Sequence, residues 1–144
     1  MADCCDIWQK FKVEELLLKK YNHWSLLIRR KQPMLGCCVA ILNRHAEEFS
    51  EVTEEEFAEF SKLTKDIETA LKKAFECEKI NYLALMLKDK HVHFHIIPRY
   101  SKEKKFAGGV WIDASWPKAP VLLVEEAVPE VLQKIKEEIT KNLQ

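Results

Sequence analysis

His91, His93 and His95 alternate with Val92, Phe94 and Ile96, and the run closes on Ile97-Pro98-Arg99. In a β-strand, side chains at i, i+2 and i+4 leave the same face, so the three imidazoles would stand in one row with the apolar partners behind them. A helix would scatter the same rings around its axis. Imidazole titrates near neutrality, and a row of three places several proton-transfer groups around one small volume. A pair of histidines could be a hydrogen-bonded structural pair, but a third in the row weakens a purely structural account. Two chemistries fit. Neutral imidazoles ligate zinc, and His-x-His on a strand presents two ligands together. A catalytic zinc site would also want a third ligand and carboxylates behind the ligands, and the nearest acidic residue is Asp89, in a turn. In the second chemistry, one imidazole attacks phosphorus while its neighbours fix its tautomer, protonate the leaving group and stabilise charge. The spacing tips toward this covalent reading and leaves the metal reading open.

Such a row needs a strand and a sheet to hold it. Val92, Phe94 and Ile96 are β-branched or aromatic, and Pro98 ends the ladder because it has no N–H to donate. Upstream, residues 80–87 are almost continuously apolar, as in a strand buried on both faces. Lys88-Asp89-Lys90 then reads as a tight turn, making an antiparallel hairpin. If Leu87 pairs with His91, then Leu85, Leu83 and Asn81 share the face of His93, His95 and Ile97, with Asn81 its polar member. Two further strands are predicted at residues 24–28 and at 37–42, the second following Gly36 and ending at Asn43-Arg44-His45. Residues 16–21 either extend a helix or form a first strand.

The helices are marked by their ends and stripes. Thr53-Glu54-Glu55-Glu56 is a capping box, and Phe57, Phe60, Leu63, Ile67, Leu71 and Phe75 follow at helical spacing, predicting a helix over 54–76. Glu68 and Lys72 add a favourable i,i+4 pair. A short helix is predicted from Asp3 to about Phe11. A last helix starts at Pro129 and carries Val131 or Leu132, Ile135, Ile139 and Leu143. The basic stretch 29–33 and the charged stretch 101–105 read as solvated loops. Residues 106–120, with Gly108-Gly109, Trp111 and Trp116, read as ordered but irregular, the tryptophans serving to fill the core.

Composition bounds the possibilities. A chain of 144 residues, 47% of them apolar, is read as one domain with a real core. Positive and negative charges balance at 23 each, so no global field draws in nucleic acid or an anionic membrane, and any anion site must be local. No apolar run reaches the length of a membrane span, and the N-terminus lacks the pattern of a secretory signal. Five cysteines, two pairs of them adjacent in sequence and none in a CxxC, predict reduced thiols in a cytoplasm.

The run His-Val-His-Phe-His-Ile-Ile-Pro-Arg resembles the signature of the histidine triad (HIT) family. Gly36, the apolar strand after it, Arg44-His45 and the acidic start of the long helix are similar to the family's upstream segment, so that the resemblance runs from about Trp24 to Tyr100. It implies an α+β fold with a central antiparallel sheet, joined here by the long helix and the C-terminal helix, and commonly a homodimer. It implies nucleotide hydrolase or nucleotidyltransferase chemistry at the α-phosphate through a nucleotidyl-histidine intermediate. Carried over, His93 is the nucleophile, while His91 and His95 orient it and stabilise the phosphoryl and leaving groups. Arg99 also resembles a family position.

Three departures stand out. Many members place a histidine directly after the glycine, where this chain has Cys37, His45 being the histidine nearby. Members often hold the ribose with an acidic or amide residue eight positions earlier, where this chain has Arg29. A glycine-rich phosphate loop is replaced by Leu87-Lys88-Asp89-Lys90. The departures leave the substrate more open than the reaction, and the chain resembles a branch with members named diadenosine-tetraphosphate hydrolases by similarity. With the usual loop gone, cations must meet the phosphates. Arg29 and Arg99, whose planar forks fix geometry, are preferred to Lys88 and Lys90. The expected substrate contacts are therefore Arg29, Asn81, Arg99 and His45, with no metal or other cofactor and with a nucleotide as partner. The alternatives are a nucleotide-binding regulatory protein with little turnover and a metal-dependent hydrolase that uses the row as ligands.

Overall fold

The computed structural model describes residues 6–122 and 124–143. Its strands are β1 (Leu17–Lys20), β2 (Trp24–Ile28), β3 (Cys38–Leu42), β4 (Lys79–Leu83) and β5 (His93–Arg99), paired antiparallel in the order β1-β2-β3-β5-β4. The α+β class with a central antiparallel sheet is the one expected. Every residue of β2, β3 and β5 is buried, so these three strands are the centre of the molecule.

The register sorts the sheet into two faces. Trp24 faces Leu42, Leu26 faces Ala40, and Ala40 faces Phe94. Because directly paired residues share a face, these belong to one apolar side. That side is covered by α3 (Glu54–Phe75): the Trp24 indole donates to the Glu56 carbonyl at 2.8 Å, and Phe60 lies 4.6 Å from Phe94 between ring centroids. The other side carries Ile41 opposite His93, Val39 and Leu83 opposite His95, and Asn81 opposite Ile97. The histidine face thus has an aliphatic floor on both flanks.

The expected helices form where their signals are. Thr53 accepts from the Glu56 amide and Glu56 reaches back to the Thr53 amide, closing the capping box of α3, while Leu63, Ile67, Leu71 and Phe75 are its buried stripe. The helix ends at Glu76 in the left-handed region at φ 54°. The helix α4 (Pro129–Asn142) begins on its proline and packs on α3 through Leu132, Ile135 and Ile139. Gly36, at φ 92°, brings the loop before β3 against α3, where a Cβ would stand 3.0 Å from both Leu71 and Phe75. Among the described residues no helix is long and apolar enough to cross a membrane.

Four expectations are corrected. The strand predicted at 80–87 stops at Leu83, is only half-buried and forms a sheet edge rather than a centre, with Leu87 exposed. The hairpin is joined not by a three-residue turn but by the irregular stretch 84–92. There, Val92 donates to the Ala46 carbonyl and accepts from the Leu42 amide, so this chain segment docks on the end of β3 instead of on β4. The N-terminal helix is two turns, α1 (Ile7–Lys10) and α2 (Val13–Leu16), and its predicted start at Asp3 lies outside the described residues. Finally, β6 (Lys104–Phe106) and β7 (Gly109–Trp111) form a small hairpin in the region predicted to be irregular, turning through Ala107 and Gly108 at φ 52° and 76°. Positive φ at both central residues is the geometry of a type I′ two-residue hairpin loop.

Candidate functional site

His93 and His95 project from β5 on the face opposite Phe94, with ring centroids 5.1 Å apart and nearly perpendicular. His91 precedes the strand but is pinned beside it, because its Nε2 donates to the Leu42 carbonyl at 2.6 Å. The His91 carbonyl in turn accepts from His93 Nδ1 at 2.7 Å. A carbonyl can only accept, so this bond places the proton on Nδ1 and leaves the lone pair of His93 on Nε2. The central ring is therefore held in one tautomer, with Nε2 carrying the lone pair. His45 stands against His91 with centroids 5.5 Å apart, and its Nε2 lies 3.4 Å from the Glu47 carboxylate.

The row does not face solvent. His91 and His93 are 1% exposed and His95 is 7% exposed. The cover is the chain just before β1: Trp8 meets the His91 ring at 5.7 Å, and Phe11 meets His93 and His95 at 5.9 and 6.3 Å. Lys10, on the same segment, forms a 2.7 Å ion pair with Asp89 of the 84–92 stretch. A face-exposed nucleophile was expected from the sequence, and the burial corrects it. Trp8 Nε1, His91 Nδ1 and His95 Nδ1 lie buried without any hydrogen-bond partner, and each such group costs about 1–3 kcal/mol.

Burial also sets the charge. Desolvation pulls the pKa of all three histidines below the usual imidazole value, against the raising effect of the Leu42 and His91 carbonyls on His91 and His93. His95 falls to about 3, through desolvation first and then the charges of His93 and Arg29. The row is neutral at pH 7.

Two cavities flank the cover. One, of about 160 Å³, is lined by Lys10, Phe11, Arg29, Arg30, Asp89 and His95. The other, of about 280 Å³, is lined by Asp6, Glu47, Lys88, Asp89, Lys90 and His91. Arg29 is half-buried, which lowers its pKa, and its guanidinium donates to the Lys31 carbonyl at 3.2 Å. Arg30, beside it, is already paired with Glu126 at 3.3 Å. The structure thus brings Arg29 to His95 and His45 to His91. Asn81 and Arg99 are brought together elsewhere: Arg99 donates to Asn81 Oδ1 at 2.7 Å and to Asp113 at 2.7 and 3.2 Å, four residues beyond His95 along β5. Among the described residues no three His, Cys, Asp or Glu side chains are grouped to hold a metal ion. Cys37, Cys38 and Cys77 are buried free thiols, and desolvation pushes Cys37 up to about 12.

Sequence reasoning missed Trp8, Lys10, Phe11 and Gln32. The buried Gln32 staples the loop that carries Arg29: its amide nitrogen donates to the Arg29 and Cys37 carbonyls, and its oxygen accepts from the Gly36 and Cys37 amides. The one available signal for the cover was the apolar trio Ile7, Trp8 and Phe11 on one side of a helix too short to need a core of its own.

Residues 18–102 match the HIT domain family. No protein of curated function matches the sequence. A histidine triad (HIT) protein of Sinorhizobium meliloti has a similar structure, with 22% identity, a TM-score of 0.72, and 92% of this chain and 93% of that one covered. A Hit-like protein of Bartonella henselae, described as involved in cell-cycle regulation, is 16% identical with a TM-score of 0.71 over 99% and 98% of the two chains. A hypothetical histidine triad nucleotide-binding protein of Sulfolobus tokodaii is 20% identical with a TM-score of 0.67 over 92% and 88%. At these identities the likenesses establish the fold alone.

Proposed function

The chain belongs to the HIT domain family, and on that premise we propose that it is a nucleotide hydrolase or nucleotidyltransferase that works through His93. The observation that carries the reading is the bond from His93 Nδ1 to the His91 carbonyl, which aims the Nε2 lone pair away from the strand between two flanking imidazoles. In the proposed reaction, Nε2 attacks the α-phosphorus. An N–P bond forms, the P–O or P–N bond to the leaving group breaks with its electron pair, His91 and His95 orient the attacking ring and stabilise the phosphoryl and leaving groups, and the leaving group takes its proton from solvent. Water or an acceptor alcohol then cleaves the N–P bond and frees the ring. Arg29 and His45 are the proposed substrate contacts that adjoin the row, and a dinucleoside polyphosphate such as diadenosine tetraphosphate, or a nucleoside phosphoramidate, is the proposed substrate. We further take residues 1–144 as a single HIT-like domain that acts as a cytoplasmic homodimer.

The test is a trapped intermediate. Brief incubation with α-labelled dinucleotide followed by acid-free quenching should leave the label on the peptide that holds His93, and His93→Ala should leave none. The burial of all three rings favours one second reading, a nucleotide-binding regulatory protein with little turnover. In that case nucleotide binds, no label stays on the protein, and the catalytic reading fails.

A further inference from the structure

We propose that residues 6–12 form a hinged cover over the histidine row, latched by the Lys10–Asp89 ion pair, and that a substrate reaches His93 only when this cover swings away. The last clause rests on the catalytic reading above; the cover and its latch do not.

Four observations carry the proposal. First, the central ring is covered: His93 is 1% exposed and lines neither flanking cavity, which reach only His91 and His95. Second, the seal is held by side chains and not by the sheet. The backbone hydrogen bonds made by Lys10, Phe11 and Lys12 go to Asp6, Ile7 and Gln9, all within the segment. It can therefore leave without breaking a single sheet bond. What ties it down is the burial of Ile7, Trp8 and Phe11 in the core, including the aromatic contact of Trp8 and Phe11 with the imidazoles, and the Lys10–Asp89 pair.

Third, there is a natural hinge. Lys12 sits in the left-handed region at φ 49°, ψ 56°, between α1 and α2, a conformation that costs a residue with a Cβ. Beyond it α2 is anchored, with Val13 and Leu16 buried and the Glu15 carbonyl accepting from Lys136 of α4 at 2.7 Å. The fixed and the releasable halves meet at Lys12. Fourth, the closed form strands three polar atoms, Trp8 Nε1, His91 Nδ1 and His95 Nδ1. Opening hands each of them to water or to a ligand, so the closed state is not held by its polar groups. Elements that gate a site belong to the low-stability end of a fold for this reason.

The experiment is carbethoxylation of the full chain with diethyl pyrocarbonate at pH 7, mapped peptide by peptide, with half-exposed His23 as the internal reference. The reagent attacks neutral imidazole, and the triad is neutral, so slow reaction there reports occlusion and not protonation. The cover predicts that His91, His93 and His95 react at least about tenfold more slowly than His23. Lys10→Met and Asp89→Asn should each speed the triad by about two- to fivefold, the size of a part-exposed ion pair, and leave His23 alone. The double variant should be no faster than the quicker single one, because the two residues form one latch. A triad that reacts as fast as His23 in the unaltered protein overturns the cover. Unchanged rates in both single variants, or rates that multiply in the double, overturn the latch. A cover that passes while His93 never takes a nucleotidyl label would sink the catalytic reading alone, and the reverse pair of results would sink the cover alone.

Discussion

The two ends of β5 present opposite solutions to the burial of polar side chains on one face of one strand. At one end stand His93 and His95; at the other, six residues and about 20 Å further along at ~3.3 Å per residue, stands Arg99. Exposure does not tell them apart, since His93 is 1% and Arg99 3% exposed. Partners do. Arg99 spends its guanidinium on Asp113, Asn81, Ser115 and the Lys118 carbonyl, and Asp113 also accepts from the Tyr100 amide. Against the upward pull of burial, these bonds hold the Asp113 carboxyl below its usual range. The triad end leaves three nitrogens with no partner at all. A buried charge bonded through all three of its nitrogens clasps the 113–118 segment to the sheet. At the triad end, the Trp8 N–H and one ring nitrogen each of His91 and His95 lie buried without a partner.

That contrast is open to breaking by exchange of roles. His93→Ala should lower turnover by at least about a thousandfold, since it deletes a covalent path, while urea unfolding changes little beyond the loss of one small cluster of contacts. Arg99→Ala should do the reverse. It leaves the Asp113 carboxylate buried without its cation, a defect that costs about 3–5 kcal/mol, while the folded fraction keeps its turnover. Should Arg99→Ala hold its stability and lose nucleotide affinity, the two ends would be parts of one substrate site and the contrast would fall.

A finer comparison sets Arg29 against Arg99. Both were equal candidates for a phosphate contact in the sequence, yet Arg29 lines the cavity beside His95 with a carbonyl as its partner, and Arg99 is bonded to Asp113, Asn81, Ser115 and the Lys118 carbonyl. Charge-assisted bonds to phosphate are worth roughly 1.5–3 kcal/mol. In a His93→Ala background, which removes turnover from the titration, Arg29→Ala should weaken nucleotide binding by about ten- to a hundredfold. Lys88→Ala and Lys90→Ala, from the rim of the opposite cavity, should change it less. Equal losses from all three would spread the phosphate site across both cavities.

The sheet was legible because its signals are local. Strict alternation fixed the face of His93 and His95, and the Asn81–Ile97 and Leu83–His95 register followed from counting back through the hairpin. The capping box at Thr53 and the proline at 129 placed both helices within a residue or two. What failed depended on contacts distant in sequence. The apolar run at 80–87 looked like an inner strand because nothing in it reveals that Val92 prefers the end of β3. The partner of Arg99 was not legible either, because Asp113 lies beyond the charged stretch and the small hairpin. The cover escaped for the same reason: Lys10 and Asp89 are 79 positions apart. The hairpin at 104–111 turns at Ala107-Gly108, but its first strand, Lys104–Phe106, is mostly charged and carries little strand signal.

The smallest expected effect is the most direct measure of the contrast, because it reads the protonation of the row itself. A histidine kept neutral in the folded protein but free to protonate when unfolded makes the unfolded state bind more protons as the pH falls. Stability then rises with pH, and is lost on acidification through the unfolded value near 6.5. For His95 the loss continues down toward about 3, its folded value. The carboxyls that are held low, Glu56 and Asp113, act in the same direction but only below the ordinary carboxylate range, so the interval between about pH 6.5 and 5 belongs to the histidines. His95, whose folded value lies well below that interval, contributes up to about 1.4 kcal/mol per pH unit there, and the lowered values of His91 and His93 act in the same direction. Urea unfolding at pH 6.5, 6.0, 5.5 and 5.0 should therefore show a slope above that of a single site, and His95→Gln should reduce it by about one proton. Arg99→Lys, at the satisfied end, should move the curve down without changing its slope, since it alters no group that titrates there. A flat profile in the unaltered protein would mean that the rings beneath Trp8 and Phe11 gain their protons while folded, and the row would be far more open to water than its burial in the resting structure.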